Sequence, residues 1–182
     1  MSNHTKQLLG ETLKTLMTKK PLRKITIQEL VNTCSVNRQT FYYHFHDIYD
    51  LLEWIYQTEA INEVSNITYE SWCDEISIIV DYLYKNKNFC YATYRSLGKD
   101  SLDRFLLNVF DDLTEKVLSG IEESKMLSPE DRLFIIRLYG HALSGTLLDW
   151  VASKFATPPE QRAHQVCHSI KGTLALMVNK FI

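Results

Sequence analysis

Little in this chain would break a helix. Its 182 residues include six glycines and four prolines, and the internal ones cluster at a few places. That scarcity excludes the frequent turns of an all-β protein and favours long helices. No apolar run approaches the roughly 20 residues needed to span a bilayer, and the opening MSNHTKQLLGETLK lacks the charged-then-apolar pattern of a signal peptide. Cysteine is sparse: Cys34, Cys73, Cys90 and Cys167 are spread out and form no CxxC pair. With no export signal, reduced thiols in a cytoplasmic protein are the expectation. There is no phosphate-cradling glycine loop, and GHALSG at 140–145 lacks the G-x-S-x-G spacing of a nucleophile elbow. Nothing therefore speaks for an enzyme, and no cofactor is implied.

What is present is apolar mass and an uneven charge. Hydrophobic residues make up 45% of the chain, enough for a buried core, which excludes disorder. The net charge of −2 conceals two halves. Residues 1–46 carry seven Lys/Arg against Glu11 and Glu29, a net of +5, and residues 47–182 carry thirteen against twenty acids, a net of −7. A basic head on an acidic body suggests that only the head faces a polyanion.

The apolar spacing is helical. Leu9, Leu13, Leu16 and Met17 form one stripe of a helix from Thr5 to about Lys19, closed by Lys19, Lys20 and Pro21. Thr26-Ile27-Gln28-Glu29 reads as a capping box that starts a second helix, with Thr26 as N-cap and Glu29 reaching back. After the short turn at Ser35 and Val36, Asn37 caps a third helix from Arg38 to about Phe45, which buries Phe41 and Phe45 one turn apart. Asp47, with Asp50 at its N3 position, starts a fourth. Further helices are expected at 74–86, 101–124 and 128–154, and a last one from the Pro158-Pro159 break to about Lys180.

Two short capped helices joined by a tight turn match a helix-turn-helix, and the content of the second strengthens that reading. With Phe41 and Phe45 inward, Arg38, Gln39, Thr40, Tyr42, Tyr43 and His44 remain outside. Arg can fork to guanine, Gln to adenine, and Tyr or Thr hydroxyls suit phosphate. The blander reading, an aromatic packing face, applies to part of Tyr43, which could lean on the first helix.

The string TIQELVNTCSVNRQTFYYHFHDIYDLL resembles the signature of TetR-family regulators, in which T-F-Y-x-H/Y-F on the recognition helix is followed by a charged cap and D-L-L. The resemblance covers residues 5–55. It implies an all-α protein with a three-helix DNA-binding head, a connecting helix and a larger helical body that dimerises. By position, Thr26, Asn37, Arg38, Gln39, Thr40, Tyr42, Tyr43 and His44 would form the DNA-binding set. Two departures stand out. Ser35 occupies a turn position where the family has Gly, tolerable if its backbone avoids the left-handed region. Ile48 replaces a phosphate-gripping Lys, with His46 or Tyr49 as substitutes. Further on, YLYKNKNFCYATY, SLDRFLLNVF and YGHALSGTLLDWVASKF with PPEQ resemble Firmicutes-type regulators, including those of dihydroxyacetone-kinase operons.

The organisation expected is a helix-turn-helix domain at 1–46, a connecting helix at 47–64 and a sensing and dimerisation domain at 65–182. Partners would be a palindromic double-stranded DNA operator, a second copy of the chain, and an unknown small-molecule effector or partner protein. Control by a protein partner, with activation rather than repression, is the alternative. Tyr91, Tyr94, Phe105, Phe110 and Trp150 are candidates to line an effector pocket, though packed aromatics are more often plain core. Arg95, Arg137, His141 and Asp149 are candidate polar contacts there. Gly145, Leu148, Ile170 and Leu174 are expected at the dimer interface, on two helices rich in apolar and small residues. His164, Cys167 and His168 share one side of the last helix, but sequence places no further metal ligand beside them, so no metal site is assigned.

Overall fold

The structure is a computed structural model. It describes residues 2–64, 67–97, 99–170 and 172–182, with the side chains of residues 2, 63, 99–102, 104 and 105 left outside the description. Among the described residues the secondary structure is helical, with no strand: α1 Ser2–Met17, α2 Ile27–Thr33, α3 Arg38–His44, α4 Ile48–Tyr56, α5 Trp72–Lys85, α6 Lys87–Leu97, α7 Lys99–Ser119, α8 Pro129–Ala152, α9 Pro159–Ile170 and α10 Thr173–Phe181.

Caps explain where most of the early helices start. Thr26 accepts from Glu29 N at 3.2 Å, Asn37 from Gln39 N at 2.8 Å, and Asp47 from Tyr49 N and Asp50 N at 2.8 and 2.9 Å. Each satisfies a backbone donor that the first turn leaves over. Asp50 reaches back past the cap, accepting from His46 N at 2.8 Å. The box at Thr26 does not close: Glu29 pairs with Lys20 instead of reaching back. An ammonium is a stronger partner for a carboxylate than a lone amide.

The head is α1–α3 folded against α4. Leu9, Leu13, Leu30, Phe41, Leu51 and Ile55 are fully enclosed, and Gly10 lets α1 approach α4 so closely that an added Cβ would stand 3.2 Å from Ile55 Cγ1. Beyond Tyr56, α4 does not continue as a regular helix to residue 64. Gln57–Ile61 is a π-helical turn and Asn62–Val64 a 3₁₀ turn.

In the body, α7 lies against α8, α5 against α9, and α6 bridges the head and the α7–α8 pair. Gly140 on α8 faces α7 closely; a Cβ there would collide with the carboxylate of Asp111, which holds Arg137 at 2.8 Å. Burial keeps Asp111 above the usual carboxylate range against the opposing pull of Arg137.

Three expectations are corrected. The helix at 87–97 is additional, set off from α5 by Asn86, whose side-chain amide donates to Tyr82 O at 3.0 Å. The final helix is two, α9 and α10, broken at Gly172, whose φ of +84° suits a residue without a Cβ. Cys73 and Cys167 are not free thiols; they are joined in a disulfide with Cα atoms 5.0 Å apart. Their separation of 94 residues hides the pairing from any spacing rule, and it arises because α5 packs on α9.

Candidate nucleic-acid interface

The turn between α2 and α3 aims the candidate surface. Ser35 N donates to Asn32 O at 3.3 Å and Val36 N to Val31 O at 2.9 Å. That pair of bonds is a Schellman motif, which ends a helix with one residue in the left-handed region. Ser35 is that residue, at φ +54°. It does not avoid the region, so the strain that glycine would escape is present.

From there α3 emerges with Phe41 and Phe45 buried. The Phe45 ring meets Trp54 edge-on at 5.7 Å and takes the Lys6 ammonium at 5.7 Å. These contacts clamp α3 to α1 and α4 and leave its opposite face outward. Arg38 and Gln39 are exposed, as are the caps Thr26 and Asn37, while Thr40 and His44 are half-buried. Tyr42 is 49% and Tyr43 81% exposed, so Tyr43 does not lean on α1, and its ring stands edge-on to the neighbouring His44 ring at 4.9 Å. The Arg38 guanidinium stands 5.7 Å from the Tyr42 ring and donates to its hydroxyl at 3.4 Å, which holds both extended from the same face. Ile48 is buried, whereas His46 and Tyr49 are exposed beside α3. One short helix thus offers a forked cation, an amide and two phenols to the outside, the groups that pair with base edges and phosphate oxygens.

Sequence reading missed a polar chain that ties this head to the body. Lys14 of α1 pairs with Glu59 in the π turn at 2.8 Å, and Tyr82 of α5 donates to the same carboxylate at 3.0 Å. Beside it Tyr56 donates to Thr93 at 3.0 Å, and Thr93 to Phe89 O at 3.0 Å. Burial raises the Tyr56 and Tyr82 hydroxyls above the ordinary tyrosine value and pushes the Cys90 thiol up to about 12. Partners 45 and 23 residues apart leave no local signal.

The body candidates differ in burial. Phe110 and Trp150 are fully buried. Trp150 donates to Thr157 O at 2.8 Å and packs on Tyr84 and Phe155. Tyr91 and Tyr94 are half-buried, Tyr91 facing a cleft towards the head, and the Phe105 side chain lies outside the described residues. Leu148, Ile170 and Leu174 are buried within the subunit, while Gly145 has nothing within 4 Å of an added Cβ. His164 and His168 stack at 3.8 Å, and the Cys167 thiol beside them is taken up in the disulfide.

A helix-turn-helix head with an outward-facing second helix, mounted on an all-helical body, is the architecture of a class of transcription regulators. Residues 70–172, more than half of the chain, match TetR_C_8, the transcriptional regulator C-terminal region. The chain belongs to the TetR family. It is similar to the HTH-type dhaKLM operon transcriptional activator DhaS of Lactococcus lactis subsp. lactis (strain IL1403), with 29% identity over 122 residues. That match covers 65% of this chain and 63% of the relative, just under two thirds of the relative's length. The solved structure of a dihydroxyacetone kinase operon activator DhaS shares the fold, with a TM-score of 0.72, 21% identity and 97% of each chain covered. Among the described residues no helix is long and apolar enough to cross a membrane.

Proposed function

We propose that this regulator binds a palindromic DNA operator as a homodimer, inserting α3 of each subunit into the major groove. The observation that carries this reading is the outer face of α3, where Arg38, Gln39, Tyr42 and Tyr43 stand exposed on a helix locked from behind by Phe41 and Phe45. Thr26, Asn37, Thr40 and His44 flank that face, and Thr26 and Asn37, at helix starts, suit phosphate.

Dimerisation is supported by α8. One side packs in the subunit through Ile135, Tyr139, Leu143, Leu147 and Trp150, yet Leu133, Phe134 and Leu138 are exposed on the other. A helix that is apolar all round is ordinarily buried all round. Phe134 meets Phe181 of α10 at 5.9 Å, and Leu176 is 63% exposed nearby in sequence, so α8 and α10 share an uncovered apolar surface. Gly145 adds a place where a second helix can approach. Covering this surface with its own copy gives the two-fold symmetry that paired half-sites require. Leu148, Ile170 and Leu174 would support that interface from inside the subunit.

Control comes through the body, by an effector or a partner that favours one head spacing. Activation is the sign favoured here, because the 29% identical relative is named an activator. Selection of bound sequences from random DNA tests the main reading. A two-fold symmetric consensus is expected, with affinity that falls steeply with salt. Recovery of unrelated sequences at every salt concentration would sink it.

A further inference from the structure

Between head and body lies an open cleft of about 500 Å³. One wall is the end of α1 and the connection to α2, bringing Lys19, Lys20 and Arg23; the other is α6, bringing Asn88, Tyr91 and Arg95. Four cations face this space and no acid lines it. Glu29 neutralises Lys20 from outside, but Lys19, Arg23 and Arg95 have no ion-pair partner among the described residues. A further cation, Lys154, sits 5.5 Å over the Tyr91 ring. Like charges drawn together in a concavity raise the local concentration of anions, and they repel each other until one arrives.

The two walls are tied at one edge, since Leu22 N donates to Ser96 Oγ at 3.1 Å. No side chain of α3 lines the cleft, so it is separate from the surface proposed to read DNA. Its fittings suit a small ligand. Arg95 and Arg23 can fork to oxyanions, Asn88 can exchange hydrogen bonds with a hydroxyl or carbonyl, and Tyr91 offers an apolar ring.

We propose that this cleft is a binding site for a small metabolite bearing a phosphate or two or more carboxylates. Such a ligand is held by both walls at once and so fixes the head relative to α6. The effect on DNA rests on the operator-binding reading; the site does not.

Titration of the full-length protein with inorganic phosphate, pyrophosphate and citrate, each followed by calorimetry, tests the site without DNA. Saturable binding of at least one probe is expected, weakened about tenfold or more in Arg95→Gln and less in Arg95→Lys. Phosphates alone binding would name a phosphate ester as the ligand, and citrate alone a polycarboxylate. Unchanged thermal unfolding of both variants shows that the fold is kept. Absence of saturation by all three probes up to about 10 mM, or equal binding by Arg95→Gln, overturns the proposal. A second arm measures DNA binding without any probe. If Lys19→Gln with Arg95→Gln lowers affinity for all sequences and flattens its salt dependence, these cations hold DNA phosphate, and the small-ligand site is likewise overturned.

Discussion

At the scale of single residues, exposure separates the proposed readers of DNA from their supports. Gln39 is exposed, so Gln39→Ala is expected to leave stability within about 0.5 kcal/mol. It should cost about 1–3 kcal/mol of binding at one base position and relax the preference there. Competition against operators changed at single positions measures both; an unaltered preference removes Gln39 as a base reader. Ser35 carries the opposite kind of cost. Its left-handed backbone is the conformation glycine adopts freely, so Ser35→Gly should stabilise the protein by about 1 kcal/mol, read as a higher denaturation midpoint. The buried Cys90, Tyr56 and Tyr82 set a pH limit. Their acidic forms are held up from ordinary values of 9.0 and 10.0. The stability they contribute is present below those values and is lost as pH rises through the folded ones. The denaturation midpoint should therefore drop from about pH 9 upward, and less steeply in Cys90→Ala.

At the scale of elements, the legible parts were those with local causes. The starts of α2, α3 and α4 each rest on a cap within three residues, and the strings around Phe41 and Phe45 carried the outward face of α3. The end of α5 near residue 86 was legible, but the new start of α6 directly after it was not, because Asn86 interrupts the helix with neither proline nor glycine beside it. Nor was the partnership of α5 and α9, which only tertiary packing creates. That partnership is fastened by Cys73–Cys167, and closing so long a loop restricts the unfolded chain. Reductant should lower unfolding free energy by about 2–5 kcal/mol. Cys73→Ser should show the lowered value in both conditions; a wild-type melting temperature indifferent to reductant would count against the bond.

At the scale of the whole molecule, the surface left over by one subunit is as informative as its core. Leu148, Ile170 and Leu174 belong to helices that sequence patterning singles out for dimerisation, yet their apolar area is spent within the chain. Periodicity identifies an apolar residue but not which of two faces will be covered by its own subunit. The uncovered face carries Phe134 and Leu138, so Phe134→Glu should give a folded monomer by light scattering, with operator affinity reduced at least about tenfold. A variant that remains dimeric, or a wild-type protein that is monomeric at micromolar concentration, removes this interface.

The cystine also gives the chain a covalent topology. From α5 to α9 the backbone becomes a closed ring, from which α10 trails at one end and the entire reading head at the other. A protease that nicks the ring once leaves its pieces joined, and only reduction parts them on a denaturing gel. A nick between α4 and α5 lets the head part from the rest on that gel without reduction. The head proposed to read DNA is thus, like α10, a piece that the disulfide does not hold.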